Sequence, residues 1–185
     1  VLATEAGGRT GNSDIETVTI YAMVLYEEYN FIDGKFDDIK MAGGSHIPTA
    51  ITFNIGVNGE YLLHEYWQPR DGSYYKPDIE KKYPKAVWQD ALDTQKFIVG
   101  QKQSIYQQLI KGGFINAELM ITSVIQDILQ MTDDPSNWRL QSKQRELIYY
   151  GDYMLTYAYT RFLEVNQTDK KARIMESACR AILKQ

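Results

Sequence analysis

The segment from His64 to Gln68, HEYWQ, comes close to the zinc-peptidase motif H-E-x-x-H. That motif needs two histidines one helical turn apart as metal ligands, with the adjacent glutamate as general base. Here the fifth residue is Gln68, and the aromatic segment is typical of a strand rather than a helix. The chain has only two histidines, His46 and His64. The sequence therefore predicts no metal site.

Ser73 and Lys76 fit Ser-x-x-Lys, the acylation motif of penicillin-binding proteins and β-lactamases. The chemistry requires the serine at a helix N-terminus with the lysine one turn later. Pro77 follows Lys76 and disfavours the α conformation for the lysine. No Ser-Asp-Asn is present, and Lys111-Gly112-Gly113 resembles Lys-Thr-Gly only loosely. An acyl-enzyme function using Ser73 is the third alternative, behind two functions without catalysis.

Other catalytic patterns are also missing from the sequence. It contains neither a G-x-x-x-x-G-K-[ST] phosphate loop nor a G-x-G-x-x-G fingerprint. Ser45, His46 and any aspartate would make up a catalytic triad, but nothing singles out one aspartate. The 24 acidic residues allow a carboxylate pair without indicating one. The sequence therefore predicts no catalytic residue and no cofactor.

Polar and aromatic side chains are densest between His64 and Lys76, where a predicted strand ends in a turn. Loops that leave a rigid sheet often carry binding groups. Alternatively, Arg70 and Asp71 pair locally, while Trp67 and Tyr74 only cover the edge of the core. The candidate ligand-binding residues are Trp67, Arg70, Asp71, Tyr74 and Tyr75.

The chain has 14 tyrosines, and tyrosine combines an apolar ring with a hydrogen-bonding hydroxyl. Such residues suit interfaces as well as half-buried helix faces. With Asp152, one group of tyrosines could line a cleft or a partner surface, or form the rim of an amphipathic helix. The candidate interface residues are Tyr149, Tyr150, Tyr153 and Tyr157.

Composition limits the classes of function. The 185 residues carry a net charge of −4, which argues against nucleic acid as a partner. The longest apolar run, Ile20 to Tyr26, is far shorter than the roughly 20 residues of a membrane span. Cys179 is the single cysteine, so it forms no internal disulfide, and we expect it to pack as a small apolar residue. Because the chain begins with Val1 rather than Met, we expect it to be a processed or partial product, and the missing membrane segment says nothing about the full-length protein.

The first third of the chain is rich in strand patterns. Residues 1–15 are small and polar, which predicts a flexible leader, and residues 16–185 are predicted to form a single α+β domain. Strands are predicted at 17–26, 49–55 and 60–68, with Asn58-Gly59 marking a hairpin between the last two. Residues 30–46 are predicted to form a long loop.

The remainder has helical patterns. One helix is predicted over 85–111, ending at Gly112-Gly113, and Pro84 limits 78–83 to a short turn. Asn116 is expected to cap the next helix and Thr168 the last one. Residues 142–164 are interpreted as helix, although the tyrosines within 146–164 also allow a strand. The predicted fold is α+β: a small antiparallel sheet of about three strands, packed against about four helices.

Five stretches of the chain together carry a family resemblance. They are GSHIPTAITF, NGEYLLHEYWQPRDGSYYKPDIEKKYP, ALDTQKFI, GDYMLTYAYTRF and RIMESACRAIL. They resemble the extracytoplasmic C-terminal region of BlaR/MecR-type antirepressor metallopeptidase-like membrane proteins of Firmicutes. The resemblance covers most of the chain after about residue 16. The family's zinc-binding motif and its penicillin-binding sensor are not matched, so no catalytic residue is carried over.

The resemblance implies a location and an architecture. The chain would be an extracytoplasmic domain, tethered to the bacterial cell membrane by another part of the same polypeptide. We expect a non-catalytic sensor that binds a small molecule or a cell-envelope component. The alternative is a structural or protein-interaction domain with no small ligand.

Overall fold

A computed structural model describes residues 1–7, 16–30, 41–131, 134, 136–163 and 169–185. In this part of the chain, four strands form one antiparallel sheet in the order β1-β2-β3-β4. They are β1 (Ala3–Gly7), β2 (Glu16–Tyr29), β3 (Met41–Ile55) and β4 (Tyr61–Trp67). The predicted hairpin is confirmed: β3 and β4 pair across a tight loop in which Gly59 has a φ of 79°.

The loop predicted over 30–46 is wrong for residues 41–46, which belong to β3. Gly43 and Gly44 suggest a loop because glycine lacks a side chain to pack in a strand. Here they pair with Glu28 and Glu27 of β2, whose 14 residues provide a long partner. The other residues of the predicted loop, 31–40, lie outside the described residues.

The flexible leader predicted over 1–15 is wrong for residues 3–7. These residues form β1, in which Ala3 pairs with Tyr21 and Gly7 pairs with Thr17. The Tyr21 hydroxyl donates a 3.0 Å hydrogen bond to Glu5. β1 is thus held by its neighbour rather than by its own strand propensity. The remaining part of the predicted leader, 8–15, lies outside the described residues.

The sheet packs one face against two helices, α1 (Tyr75–Lys82) and α2 (Trp88–Leu92). One row of paired residues crosses this face on all four strands: Ala3, Tyr21, Ala50 and Trp67. Ile79 of α1 is completely buried against this row. Burying such a side chain contributes about 1.5–3 kcal/mol. The buried residues of this first core are Tyr21, Ala50, Ile79, Tyr83 and Ala91.

Five helices follow and build a second hydrophobic core. They are α3 (Ile98–Lys111), α4 (Ala117–Gln130), α5 (Trp138–Tyr149), α6 (Asp152–Phe162) and α7 (Lys170–Ile182). The apolar stripe of α4, predicted from its 3.6-residue period, is buried at Ile121, Val124, Ile125 and Ile128. Cys179 packs half-buried against this core, and burial raises the pKa of its thiol.

The single helix predicted over 85–111 is wrong, because a break separates α2 from α3. The Asp93 carboxylate accepts the backbone N–H groups of Gln95 (3.0 Å) and Lys96 (3.2 Å). An aspartate bonded in this way offers the backbone an alternative to the helix. The predicted end of the helix is confirmed, with Gly113 at a φ of 73°. Asn116 is confirmed as the cap of α4, since its side chain accepts the N–H of Leu119 at 3.1 Å.

The helical interpretation of residues 142–164 is confirmed for the described part, with one difference. Two helices, α5 and α6, occupy the segment, and Gly151 separates them with a φ of 51° and a ψ of −127°. Thr168 lies outside the described residues, and Asp169 is the residue at the start of α7.

The described residues fall into two compact units, the first ending at Ile98 and the second beginning at Val99. Each unit has its own core, whereas the sequence analysis predicts one domain over 16–185. The boundary follows four polar residues, 93–96, a stretch too short to stand out in the composition as a linker between domains. The predicted α+β class is confirmed, with strands in the first unit and most of the helix in the second.

Candidate functional site

A groove of about 420 Å³ opens where β4 leaves the sheet, and we call it the strand-exit groove. It lies entirely within the first unit, between the end of β4 and α1. Two of the five predicted ligand-binding residues, Trp67 and Arg70, line it. The full lining consists of Glu65, Trp67, Gln68, Arg70, Asp78, Lys81 and Lys82.

Arg70 is held in one orientation by Asp78 in the first turn of α1. Its Nε and Nη2 atoms each donate a 2.8 Å hydrogen bond to the Asp78 carboxylate. Its backbone N–H donates a further 3.0 Å bond to the same side chain. This bidentate arrangement fixes the plane of the guanidinium. The local pairing of Arg70 with Asp71 is therefore wrong, because the partner is eight residues away on the next helix.

The contact with Arg70 changes the pKa of the Asp78 carboxyl group. The side-chain hydrogen bond from Arg70 lowers the pKa of Asp78 to about 2, and the backbone N–H of Arg70 acts in the same direction. The side chain of Asp78 is 15% exposed, whereas that of Arg70 is 67% exposed. The carboxylate thus faces the protein, and the guanidinium faces solvent.

Trp67 forms the aromatic wall of the groove. It belongs to the buried row of the sheet, and its ring lies 6.0 Å from that of Tyr83. Lys82 Nζ lies 5.9 Å from the Trp67 ring and 2.5 Å from Glu65, which precedes Trp67 by two residues and so shares its face of β4. Trp67 is half-buried. One part of it therefore covers the edge of the first core, as the alternative interpretation predicted, and another part lines the groove.

The other three candidates lie next to the groove but do not line it. Tyr74 is 55% exposed, and the guanidinium carbon of Arg70 lies 4.3 Å from the centre of its ring. Tyr75 packs half-buried against the first core, and burial raises the pKa of its phenol. Asp71 is exposed and precedes the short 3₁₀ turn Gly72–Tyr74. Of the five candidates, two therefore line the groove and three lie beside it.

Sequence reasoning missed five lining residues: Glu65, Gln68, Asp78, Lys81 and Lys82. Three of them lie on α1 at positions 78, 81 and 82, a spacing that places them on one helical face. The turn predicted over 78–83 contains all three positions, but the prediction of only a short turn is wrong, because α1 begins at Tyr75.

The structure places both Ser73 and Lys76 where the chain enters α1. Pro77 lies in the first turn of α1, where its missing N–H costs nothing, so the prediction that it excludes Lys76 from the helix is wrong. Ser73 lies in the preceding 3₁₀ turn. Lys76 Nζ lies 3.6 Å from Glu80 and points along the helix rather than back to Ser73.

The two histidines lie on neighbouring strands, with His46 in β3 and His64 in β4. His64 is the extra residue of a β-bulge, since Thr52 pairs with Glu65 and Phe53 pairs with Leu63. Among the described residues, no group of three or more histidine, cysteine, aspartate or glutamate side chains is arranged to hold a metal ion.

The four interface tyrosines do not form a common surface. Tyr150 is fully buried and Tyr157 is 7% exposed, so an exposed interface is wrong for these two. The ring of Tyr150 lies 4.9 Å from that of Tyr106 in an edge-to-face contact within the second core. Tyr149 and Tyr153 are half-buried. Tyr150 and Tyr157 point into the core because of their positions along the helical segments, and the number of tyrosines alone does not predict this.

Tyr153 and Tyr157 instead line a cleft of about 240 Å³ between α4 and α6. The Tyr157 hydroxyl lies 3.1 Å from the hydroxyl of Thr122. The guanidinium of Arg161 stacks 4.9 Å from the Tyr157 ring and also pairs with Glu118. This cleft is small and largely apolar, and two of its polar side chains, Glu118 and Tyr157, are bonded to residues outside its lining.

No protein-family model, no curated protein and no solved structure matches this chain. The resemblance to the BlaR/MecR-type proteins therefore stays a prediction. In the described ranges, the longest helices are α3 and α4 with 14 residues each, and no helix is long and apolar enough to cross a bilayer.

Proposed function

We propose that this chain is a non-catalytic extracytoplasmic ligand-binding domain that acts as the sensor of a BlaR/MecR-like membrane signalling protein. The observation that supports ligand binding is the strand-exit groove. It combines an aromatic wall, Trp67, with an arginine whose orientation is fixed before any ligand arrives. Preorganised groups of this kind raise affinity because they lose little freedom on binding. The family assignment and the location rest on the sequence resemblance alone.

The position of the groove suggests how binding would be transmitted. Arg70 and Asp78 join the loop after β4 to α1, and Ile79 of α1 is buried in the first core. A ligand that contacts both Trp67 and Arg70 would favour one arrangement of α1 against the sheet. Such a ligand shifts the equilibrium by its difference in affinity for the two arrangements. The membrane part of the same polypeptide would respond to that shift.

The test is a thermal-shift screen with cell-wall fragments and β-lactams. A ligand at 100 times its Kd stabilises the folded state by about 2.7 kcal/mol, a readily measured rise in Tm. We expect Arg70→Ala and Trp67→Ala to remove the rise. Trp138→Ala is the matched control, because Trp138 is 69% exposed on α5 and outside the groove.

Trp67→Ala also removes part of the first core, so the Arg70 variant, whose side chain is exposed, decides the outcome. Unchanged affinity in Arg70→Ala and Trp67→Ala would contradict the assignment of the groove. Unchanged signalling by both variants in the full-length protein would contradict the proposed transmission.

A second candidate function, a protein-interaction domain without a small ligand, is favoured by the surface of β4. Within the described residues β4 is an edge strand of the sheet. Four of its apolar side chains are more than half exposed: Tyr61, Leu62, Leu63 and Tyr66. Exposed apolar edge strands tend to pair with other chains.

Leu63→Lys tests this second function, because it places a charge on the exposed edge of the sheet. If β4 is an interface, the variant abolishes complex formation in size-exclusion chromatography. Val57→Lys is the control, since Val57 is fully exposed in the hairpin loop. A monomer that shows no change on either substitution, and binds no partner, excludes the function.

A further inference from the structure

The strand-exit groove has an excess of positive charge. Three cationic side chains, Arg70, Lys81 and Lys82, face two carboxylates, Glu65 and Asp78. Two ion pairs account for four of these five groups: Arg70 with Asp78 at 2.8 Å, and Lys82 with Glu65 at 2.5 Å. In the described part of the chain Lys81 forms no direct ion pair, although its charge also helps to lower the pKa of Asp78. The chain as a whole is acidic, with a net charge of −4, so this local excess is opposite to the overall charge.

Arg70 retains donors for a ligand although it is paired. A guanidinium has five N–H groups, and Asp78 accepts two of them. The side chain is 67% exposed, and its other face rests 4.3 Å from the Tyr74 ring. Because Asp78 and the Tyr74 ring both hold the guanidinium in place, it can bind an anion with little loss of side-chain entropy.

Trp67 and Gln68 add an aromatic ring and an amide to the lining of the groove. An indole presents a flat apolar face, on which the C–H face of a pyranose can stack. The Gln68 amide is held in place, because its Nε2 donates to Thr49 at 3.1 Å and to the Tyr66 hydroxyl at 2.9 Å. The groove thus joins an aromatic platform to an unpaired ammonium and a preorganised guanidinium.

We infer that the strand-exit groove binds an acidic sugar, with its ring against Trp67 and its carboxylate directed to the cationic side formed by Lys81 and Arg70. This inference rests on the proposed ligand-binding function and adds the chemical class of the ligand. A neutral sugar would use the platform but form no charge pair with Lys81. The predicted preference is therefore for the carboxylate.

Isothermal titration with two sugars tests the inference. N-acetylmuramate and N-acetylglucosamine differ by one lactyl ether that carries a carboxylate. We expect N-acetylmuramate to bind about three- to fivefold more tightly at low salt, the effect of one exposed charge pair. The preference should shrink as salt is added.

Lys81→Gln should reduce the affinity for N-acetylmuramate to that for N-acetylglucosamine. Lys85→Gln is the matched control, because Lys85 is an exposed lysine of the same unit that does not line the groove. Lys81 is itself exposed, and an unchanged Tm shows that each variant is folded.

The outcomes separate this inference from the proposed function. Equal affinity for the two sugars, or a preference that survives Lys81→Gln, overturns the acidic-sugar assignment. If Arg70→Ala nevertheless weakens both, the groove remains a ligand site. If neither sugar binds but another compound in the thermal-shift screen does, only the acidic-sugar assignment fails. If nothing binds, both fail.

Discussion

At the scale of single residues, the Arg70–Asp78 contact makes a testable link between structure and pH. The folded state lowers the pKa of Asp78 to about 2, below its value in the unfolded chain, near 4. A carboxyl with a lowered folded pKa contributes stability above its unfolded pKa and loses it as the pH falls through the folded pKa. The contribution of Asp78 is therefore present at neutral pH and disappears between about pH 4 and pH 2.

We predict that Asp78→Asn lowers the Tm at pH 7 and that the difference from the natural chain narrows as the pH falls below 4. Thermal melts between pH 2 and pH 7 measure this. Asp71→Asn is the control, because Asp71 is the chain neighbour of Arg70 but its carboxylate is exposed and not bonded to Arg70. A Tm difference that stays constant with pH would contradict the role of the Asp78 carboxylate.

At the scale of elements, Gly151 decides that residues 138–162 form two helices rather than one. Its φ of 51° and ψ of −127° lie in a region that residues with a side chain rarely adopt. A Cβ at this position would meet Gln103 at an ordinary distance of 3.7 Å. The cost of a substitution therefore comes from the backbone and not from a clash.

We predict that Gly151→Ala destabilises the protein by about 1–3 kcal/mol. Gly100→Ala is the matched control with the opposite sign, because Gly100 lies within α3 and a Cβ there meets no atom within 4 Å. Alanine at such a helical position stabilises by up to about 1 kcal/mol. Urea unfolding of both variants measures the difference, and equal stabilities would show that Gly151 is not required for the break.

Local signals predicted the elements that depend on local contacts. Asn58-Gly59, Gly113 and Asn116 each act within a few residues, and the hairpin, the end of α3 and the start of α4 are confirmed. β1 has little strand propensity and exists because β2 pairs with it. The first turn of α1 carries Asp78, which bonds to Arg70 eight residues earlier in the chain. Trp67 and Arg70 of the groove were predicted from the sequence. Its charged residues Asp78, Lys81 and Lys82 were not, because they lie on α1, which was predicted only as a short turn.

At the scale of the whole molecule, the 14 tyrosines make the stability of the fold depend on alkaline pH. Burial raises the pKa of Tyr21 to about 12, with the hydrogen bond to Glu5 as a second cause. Burial likewise raises the pKa of Tyr83, whose ring lies 4.9 Å from that of Tyr21 in the first core. A phenol in the unfolded chain ionises near pH 10. Each buried phenol thus holds its proton more tightly in the folded state.

The sign of the effect follows from this difference. A group whose folded pKa is raised contributes its full stability below the unfolded pKa and loses it as the pH rises through the folded pKa. We predict that stability falls steadily above pH 10 and that phenolate absorbance rises in two phases. The exposed tyrosines ionise in the first phase, and the buried tyrosines ionise as the fold is lost.

Tyr21→Phe should weaken the alkaline loss of stability, whereas Tyr159→Phe, at a 76% exposed position, should not. A single phase near pH 10 with the circular dichroism signal intact would mean that Tyr21 and Tyr83 are open to solvent, and the first core would then need a different arrangement.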